Sequence, residues 1–356
     1  MSANRRGRRL AIPPLVAAVL VAGVLTLPRF TRAGTAPSLP TVTPGALVSR
    51  VAKARVSHLS GTVRMTADLG LPALPGGGPS WESYLAGTHT ARVWYGGPGR
   101  LRVALPDGSQ ETDWVVHGST LWLWRSASYT ATRIVARSGR HGEGRAERAA
   151  HVPPTPAQVA RGFLRAVRPS TRVFVAGTAR VAGRPAYELG LAPRSGASRV
   201  GEVLIAVDAG TGLVLQVEVF PREGGRPARA AAFRLGFSQL SLAPPAPSNF
   251  TFAPPRGAKV RTARLVPPRV GRRRPPLHVV GSGWDAVLVV PRLPVRRSGT
   301  LAAVLRDATP VQGAWGQGRL VQTRLVDALV LPSGRVLVGA VTPAALERVA
   351  GRLGGS

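Results

Sequence analysis

Two stretches of the chain, 91–135 and 172–242, consist of short runs in which apolar and polar residues alternate, each closed by a turn rich in glycine, proline or aspartate. Alternation with period two sends successive side chains to opposite sides of a strand, and turns this short join only antiparallel neighbours. In the first stretch the runs ARVWY, RLRVAL, ETDWVVH, LWLWRS and YTATRIVA are punctuated by Gly96-Gly97-Pro98-Gly99, Pro106-Asp107-Gly108 and Gly118-Ser119. In RLRVAL, Leu101, Val103 and Leu105 point one way while Arg100 and Arg102 point the other, so one side is apolar and the other meets water. The second stretch continues in the same manner through RVFVAGTARV, PAYELGLAP, GEVLIAVD, LVLQVEVF and AAFRLGFSQLSL, with an edge-like NFTFAPP after it.

Helical signals interrupt this pattern twice. Thr43-Pro44 opens one helix, with threonine as N-cap and proline in the first turn, carrying Leu47, Val48, Val51 and Val56 on one side. Thr155-Pro156-Ala157-Gln158 fits a capping box and predicts a second helix with Val159, Phe163 and Val167 on a stripe. Residues 70–90 and 137–153 lack periodicity and are expected to be loops. One antiparallel run of strands with two helices to cover one concave face is an α+β arrangement. Prolines and clustered arginines make a linker of residues 256–280. Beyond it, 281–356 reads as a small C-terminal strand-helix extension, α/β in kind and too short for a secure core of its own. It is therefore expected to dock on the preceding domain or complete its sheet.

The N-terminus predicts the compartment. Leu10 to Leu27 is an uncharged stretch of 18 residues preceded by Arg5, Arg6, Arg8 and Arg9, the pattern of a signal peptide or signal anchor. Fewer arginines follow it, Arg29 and Arg32, which predicts the N-terminus inside and the body outside. Ala33-Gly34-Thr35-Ala36 followed by Pro37 offers no clean cleavage site. Residues 1–42 are therefore expected to be a cytoplasmic basic segment, a single membrane-spanning anchor and a stem, secretion after cleavage being the alternative. Export also bears on the net charge of +32, which by itself suggests a nucleic-acid partner. All but Lys53 and Lys259 of the 48 cations are arginine, a bias that a GC-rich genome produces without any partner, and an exported body has no nucleic acid to meet.

Chemistry-bearing constellations are scarce. The chain has no Cys, which removes disulfides, thiolate metal sites, a thiol nucleophile and a lipid-modified N-terminal cysteine. Asp107 and Asp208 sit in hairpin turns, where aspartate bonds its own backbone. Glu111 and Asp113 lie two apart on a strand, more in keeping with a solvated face than a catalytic pair. The six His show no metal-ligand spacing, and no G-x-S-x-G elbow occurs. No enzyme, no cofactor and no metal are expected.

The aromatic residues are more informative. Trp81, Trp94, Trp114, Trp122 and Trp124 lie within one short span, together with Tyr84 and Tyr95. Trp122 and Trp124 share one side of their strand, Leu121 and Leu123 the other, so both sides are apolar. Two explanations fit: core rings beneath a covering helix, or a sheet that packs on one side and lines a lipid-sized cavity on the other.

The order helix, SGTVRMTADLGLP, long loop, RVWYGGPGRLRV, WVVHGSTLWLWRS, capped helix, VAGRPAYELGLAP, VGEVLIAVDAGTGLVLQVEVF and FTFAPPRGAKV resembles the LolA-like superfamily of lipoprotein carriers. It is particularly similar to an actinobacterial branch allied to the MucB/RseB N-terminal domain. Gly183-Arg184-Pro185-Ala186-Tyr187 and the hairpin Asp208-Ala209-Gly210-Thr211-Gly212 carry the resemblance most specifically. It implies that residues 43–255 form a curved, incomplete antiparallel β-barrel whose concave apolar face is closed by helices and holds acyl chains of lipids or lipoproteins, without catalysis. The cavity lining so implied is Trp94, Leu101, Val103, Leu105, Trp114, Val116, Trp122 and Trp124. The RseB side of the resemblance implies an alternative, a regulatory module whose partner is an anti-sigma factor or another envelope protein. An uncleaved anchor favours a tethered protein over a free shuttle.

Overall fold

The computed structural model describes residues 36–70, 87–135, 170–264, 278–291 and 304–354. The apolar N-terminal stretch, Trp81, Tyr84, the loop at 137–153 and the helix expected from Thr155 lie outside them. Among the described residues, no helix is long and apolar enough to cross a membrane.

Helix α1 (Pro44–Lys53) begins as the sequence predicts, with the Thr43 hydroxyl accepting from the Ala46 N–H at 3.2 Å. It ends earlier than the apolar spacing suggests, so Val56 lies beyond it. Leu47 and Val51 are its buried residues.

Strand β1 (Leu59–Ala67) is followed by the meander β2 (Thr88–Tyr95), β3 (Arg100–Asp107), β4 (Gln110–His117), β5 (Thr120–Arg125) and β6 (Thr130–Val135). The second group comprises β7 (Thr171–Val181), β8 (Arg184–Pro193), β9 (Val200–Asp208), β10 (Val214–Glu223), β11 (Arg226–Pro227) and β12 (Phe233–Ser241). With β13 (Lys259–Arg264) they form a 13-stranded sheet in the order β13-β6-β5-β4-β3-β2-β1-β12-β10-β9-β8-β7, β11 pairing with β10. The path is open: β13 and β7 are its ends, so the described strands do not close a barrel.

Two local expectations are corrected. NFTFAPP is not a strand: Pro247–Phe250 form a 3-10 turn, and the chain crosses the sheet before becoming β13. Lys259–Arg264, assigned by composition to a linker, pairs in parallel with β6 along its whole length. Proline and arginine disfavour structure locally, but an unpaired sheet edge supplies backbone partners that composition does not reveal.

The C-terminal residues form a second, six-stranded sheet from β14 (His278–Val280), β15 (Val287–Val290), β16 (Thr309–Gly313), β17 (Gly316–Gln322), β18 (Asp327–Val330) and β19 (Val336–Gly339), with helix α2 (Pro343–Gly354). All its pairings are antiparallel, so its character is α+β where the sequence reading had α/β. It docks on the first sheet without extending it. Arg199 Nε meets Asp327 Oδ2 at 2.8 Å, Arg324 pairs with Asp68 and Glu223, and the Trp284 indole donates to the Thr171 hydroxyl at 2.7 Å.

Candidate functional site

Register fixes which side chains share a face of the long sheet, because directly paired residues point the same way. One row runs Val93, Val103, Trp114, Leu123; the next runs Tyr95, Leu101, Val116, Leu121, Ile134. Through β1 this face continues into Val63 and Met65 on one side and Phe237 and Leu235 on the other. It then passes through Val217 and Ile205 to Leu189 and Val175. A single apolar face thus spans the sheet from β6 to β7.

Its cover is uneven. Over β7 to β10, Leu47 and Val51 of α1, Leu39 and Val42 of the stem, and Trp284 and Leu325 of the C-terminal unit pack on the face. Leu189, Leu191, Ile205 and Val207 there are 0% exposed. The stem is tied down by the Tyr187 hydroxyl, which donates to the Pro40 carbonyl at 2.9 Å, and by the Thr178 hydroxyl to the Pro37 carbonyl. Over β2 to β6 the described cover is thinner, Val56, Ala182, Leu240 and Leu242 contributing to it. Leu101, Val103, Val116 and Leu121 are buried, while Leu105, Trp114, Leu123 and Ile134 remain half-buried.

The opposite face carries a different row: Trp94, Arg102, Val115, Trp122, Arg133. Asp113, Trp124 and Ala131 share it. The segment after β12 is strapped across this side. Phe250 is buried where a Cβ on Gly96 would meet its ring at 2.8 Å, so Gly96 is needed for the close approach. The Phe252 ring lies 5.4 Å from that of Trp122 and 6.2 Å from that of Trp124. Tyr129 then receives the strap, its hydroxyl donating to the Arg256 carbonyl at 3.0 Å and its carbonyl accepting from the Lys259 N–H at 2.9 Å.

The eight expected lining residues are therefore divided. Leu101, Val103, Leu105, Trp114 and Val116 share the apolar face; Trp94, Trp122 and Trp124 lie on the other side, beside the strap and the arginines. No single concave surface can hold both sets. Val93, Leu121, Leu123 and Ile134 complete the first group and were missed. The signal was present for two of them: Gly118-Ser119 is a two-residue turn that pairs His117 with Thr120, and counting outwards places Leu121 opposite Val116 and Leu123 opposite Trp114.

Carboxylates in the core serve arginines. Asp113, 1% exposed, accepts from Arg102 Nε at 3.2 Å and Nη2 at 2.6 Å. Burial pushes its carboxyl above the ordinary range against the pull of Arg102. Asp327 is likewise raised by burial, opposed by Arg199 and the Thr323 N–H. Asp208 behaves oppositely. Burial acts to raise it, but bonds from Arg184 and from the Thr211 backbone and hydroxyl outweigh that and hold it below the ordinary range. The same bonds explain the two motifs of the resemblance, since Arg184 and Asp208 lock the hairpin at 2.6 Å and Arg50 stacks over the neighbouring Tyr187 ring. Among the described residues, no group of three His, Asp or Glu could hold a metal.

The described residues define a two-sheet, mostly β protein with one unevenly covered apolar face. No protein-family model matches the chain, and no curated protein matches it in sequence. Among solved structures it is similar to MucB in the MucA/MucB complex of Pseudomonas aeruginosa, at 20% identity and a TM-score of 0.44, covering 86% of this chain and 96% of that one. MucB bound to MucA(peri) gives 21% and 0.43, covering 86% and 97%. A LolA superfamily protein of Nitrosomonas europaea gives 12% and 0.23, covering 60% and 99%.

Proposed function

We propose that this chain is an exported, membrane-anchored, non-enzymatic module that holds an acyl chain of a lipid or lipoprotein against the apolar face of β2 to β6. One observation carries the reading: the apolar face is continuous, yet Leu105, Trp114, Leu123 and Ile134 stay half-buried while Leu189, Leu191, Ile205 and Val207 on the other half are fully buried. Register shifts between Thr62 and Val63, Val175 and Gly177, Val214 and Gln216, and Phe220 and Pro221 support a curved sheet, because each bulge bends its strand. Burying an acyl chain contributes about 0.8 kcal/mol per methylene, so a long chain is held without a charged partner. The N-terminus lies inside and the body outside in this proposal, Leu10 to Leu27 acting as the anchor. Brominated fatty acid, offered to the purified protein, tests it. Quenching of tryptophan fluorescence that disappears in Trp114→Phe and persists in Trp122→Phe is expected; no quenching, or quenching carried by Trp122, would sink the proposal.

A second reading, a regulatory module that senses envelope state through an anti-sigma factor or another membrane partner, is favoured by the docked C-terminal sheet. Among the described strands β14 and β16 are its outer ones, and an outer strand is a template for a strand of a partner.

A further inference from the structure

The strapped face is more than a seat for Phe252. Trp94, Trp122 and Trp124 are half-buried there, and arginines lie over two of them: Arg102 is 5.5 Å from the Trp94 ring centre and Arg133 5.9 Å from that of Trp122. The patch grows more exposed towards the rim formed by β6, β13 and the turn before β6. Tyr129 stands edge-on to Trp124 at 5.3 Å yet is 45% exposed, and Val260, paired with Ala131, is 54% exposed. Tyr129 also holds a left-handed backbone at φ +47°, where glycine would be unstrained, so the position retains a large aromatic ring against a local cost.

Charge on this side is one-sided. Arg92, Arg100 and Arg133 are exposed, with exposed Arg256 beside Tyr129. Among the described acids on this side, Asp113 is buried and neutralised by Arg102, which leaves half-buried Glu111. Exposed tyrosine and valine, half-exposed tryptophans and surplus arginines on a sheet rim match the boundary of an anionic bilayer, where aromatic rings sit at headgroup level and each basic residue contributes about 1 kcal/mol. We infer that the rim around Tyr129, Arg133 and Val260 is a second, peripheral contact with an anionic membrane surface. It lies on the face opposite the proposed acyl-chain site and stands independently of it.

Hydrogen exchange on the full chain, with nanodiscs of phosphatidylglycerol or of phosphatidylcholine, tests this. Amides of 122–135 and 256–264 are expected to exchange several-fold more slowly with the anionic discs only, and to regain their rates at 1 M salt, where screening shortens to about 3 Å. Arg133→Glu should weaken binding to phosphatidylglycerol vesicles about tenfold while lowering the thermal midpoint by no more than about 3 °C, the cost of its contact with the Trp122 ring. Val260→Ser, a smaller change at an exposed site, should do so more weakly and covers the event that the charge reversal misfolds. Equal protection in neutral discs, protection in neither, or full protection by soluble polyglutamate without lipid would each overturn the inference, the last by assigning the rim to an acidic polypeptide.

Discussion

The two halves of the long sheet share one apolar face but differ in which of the described residues pack on it. Over β7 to β10, helix α1, the stem and two side chains of the C-terminal unit leave Leu189 and Ile205 with no exposure. Over β2 to β6 the same kind of face, built from the same alternation, retains half-buried Leu105, Trp114 and Leu123. Apolar patterning makes a face; long-range packing decides how completely that face is buried.

Leu189→Ala against Leu105→Ala is the sharpest way to break this contrast. The first is expected to destabilise by about 3 kcal/mol, as a fully buried leucine does, and the second by under about 1 kcal/mol, measured by urea denaturation. Similar costs at both sites would mean the halves are equally sealed. Removing one docking ion pair comes next. Asp327→Ala leaves Arg199 without its partner and should cost about 2 kcal/mol or more, with increased proteolytic cleavage between 265 and 277, because the pair is largely buried. Unchanged cleavage would show that apolar contacts alone hold the C-terminal unit.

Acid should act on the sealed half through Asp208. Its folded pKa lies below its unfolded value, near 3.9. The stabilisation is therefore complete above that value and is lost as pH falls through the folded pKa. Asp208→Asn is expected to flatten the acid limb of the stability curve, read as thermal midpoint against pH; an unaltered limb would contradict the Arg184 and Thr211 bonding. Asp327, whose folded pKa is raised, has the opposite sign: its contribution weakens as pH rises from the unfolded to the folded value. The smallest effect is expected at Tyr129→Gly. Relief of the left-handed backbone offsets the lost edge contact with Trp124, so stability should change by less than about 0.5 kcal/mol. A larger loss would make Tyr129 mainly a clamp for the strap.

Much of the fold was legible. Alternation and short turns gave β3 to β6 as a meander, the Thr43 cap gave the start of α1, and Asp208 read correctly as a turn residue. The candidate site was legible in part. Leu101, Val103, Leu105, Trp114 and Val116 fall together, but grouping Trp94, Trp122 and Trp124 with them ignored the two-residue turn at Gly118-Ser119, which fixes their side. LWLWRS is apolar on both sides because two different covers meet it, the apolar core below and the Phe252 strap above.

By itself, the sequence determined the strands, their hairpins and the arginine-bound turns, since these depend on neighbours a few residues apart. Only the tertiary structure decided that β13 would pair with β6 across more than a hundred residues, that Phe250 and Phe252 would occupy the tryptophan side, and that Trp284 and Leu325 would seal one half of the apolar face. Those contacts close long loops, and they form because buried apolar area and paired charges outweigh the closure entropy. No local residue pattern records that balance.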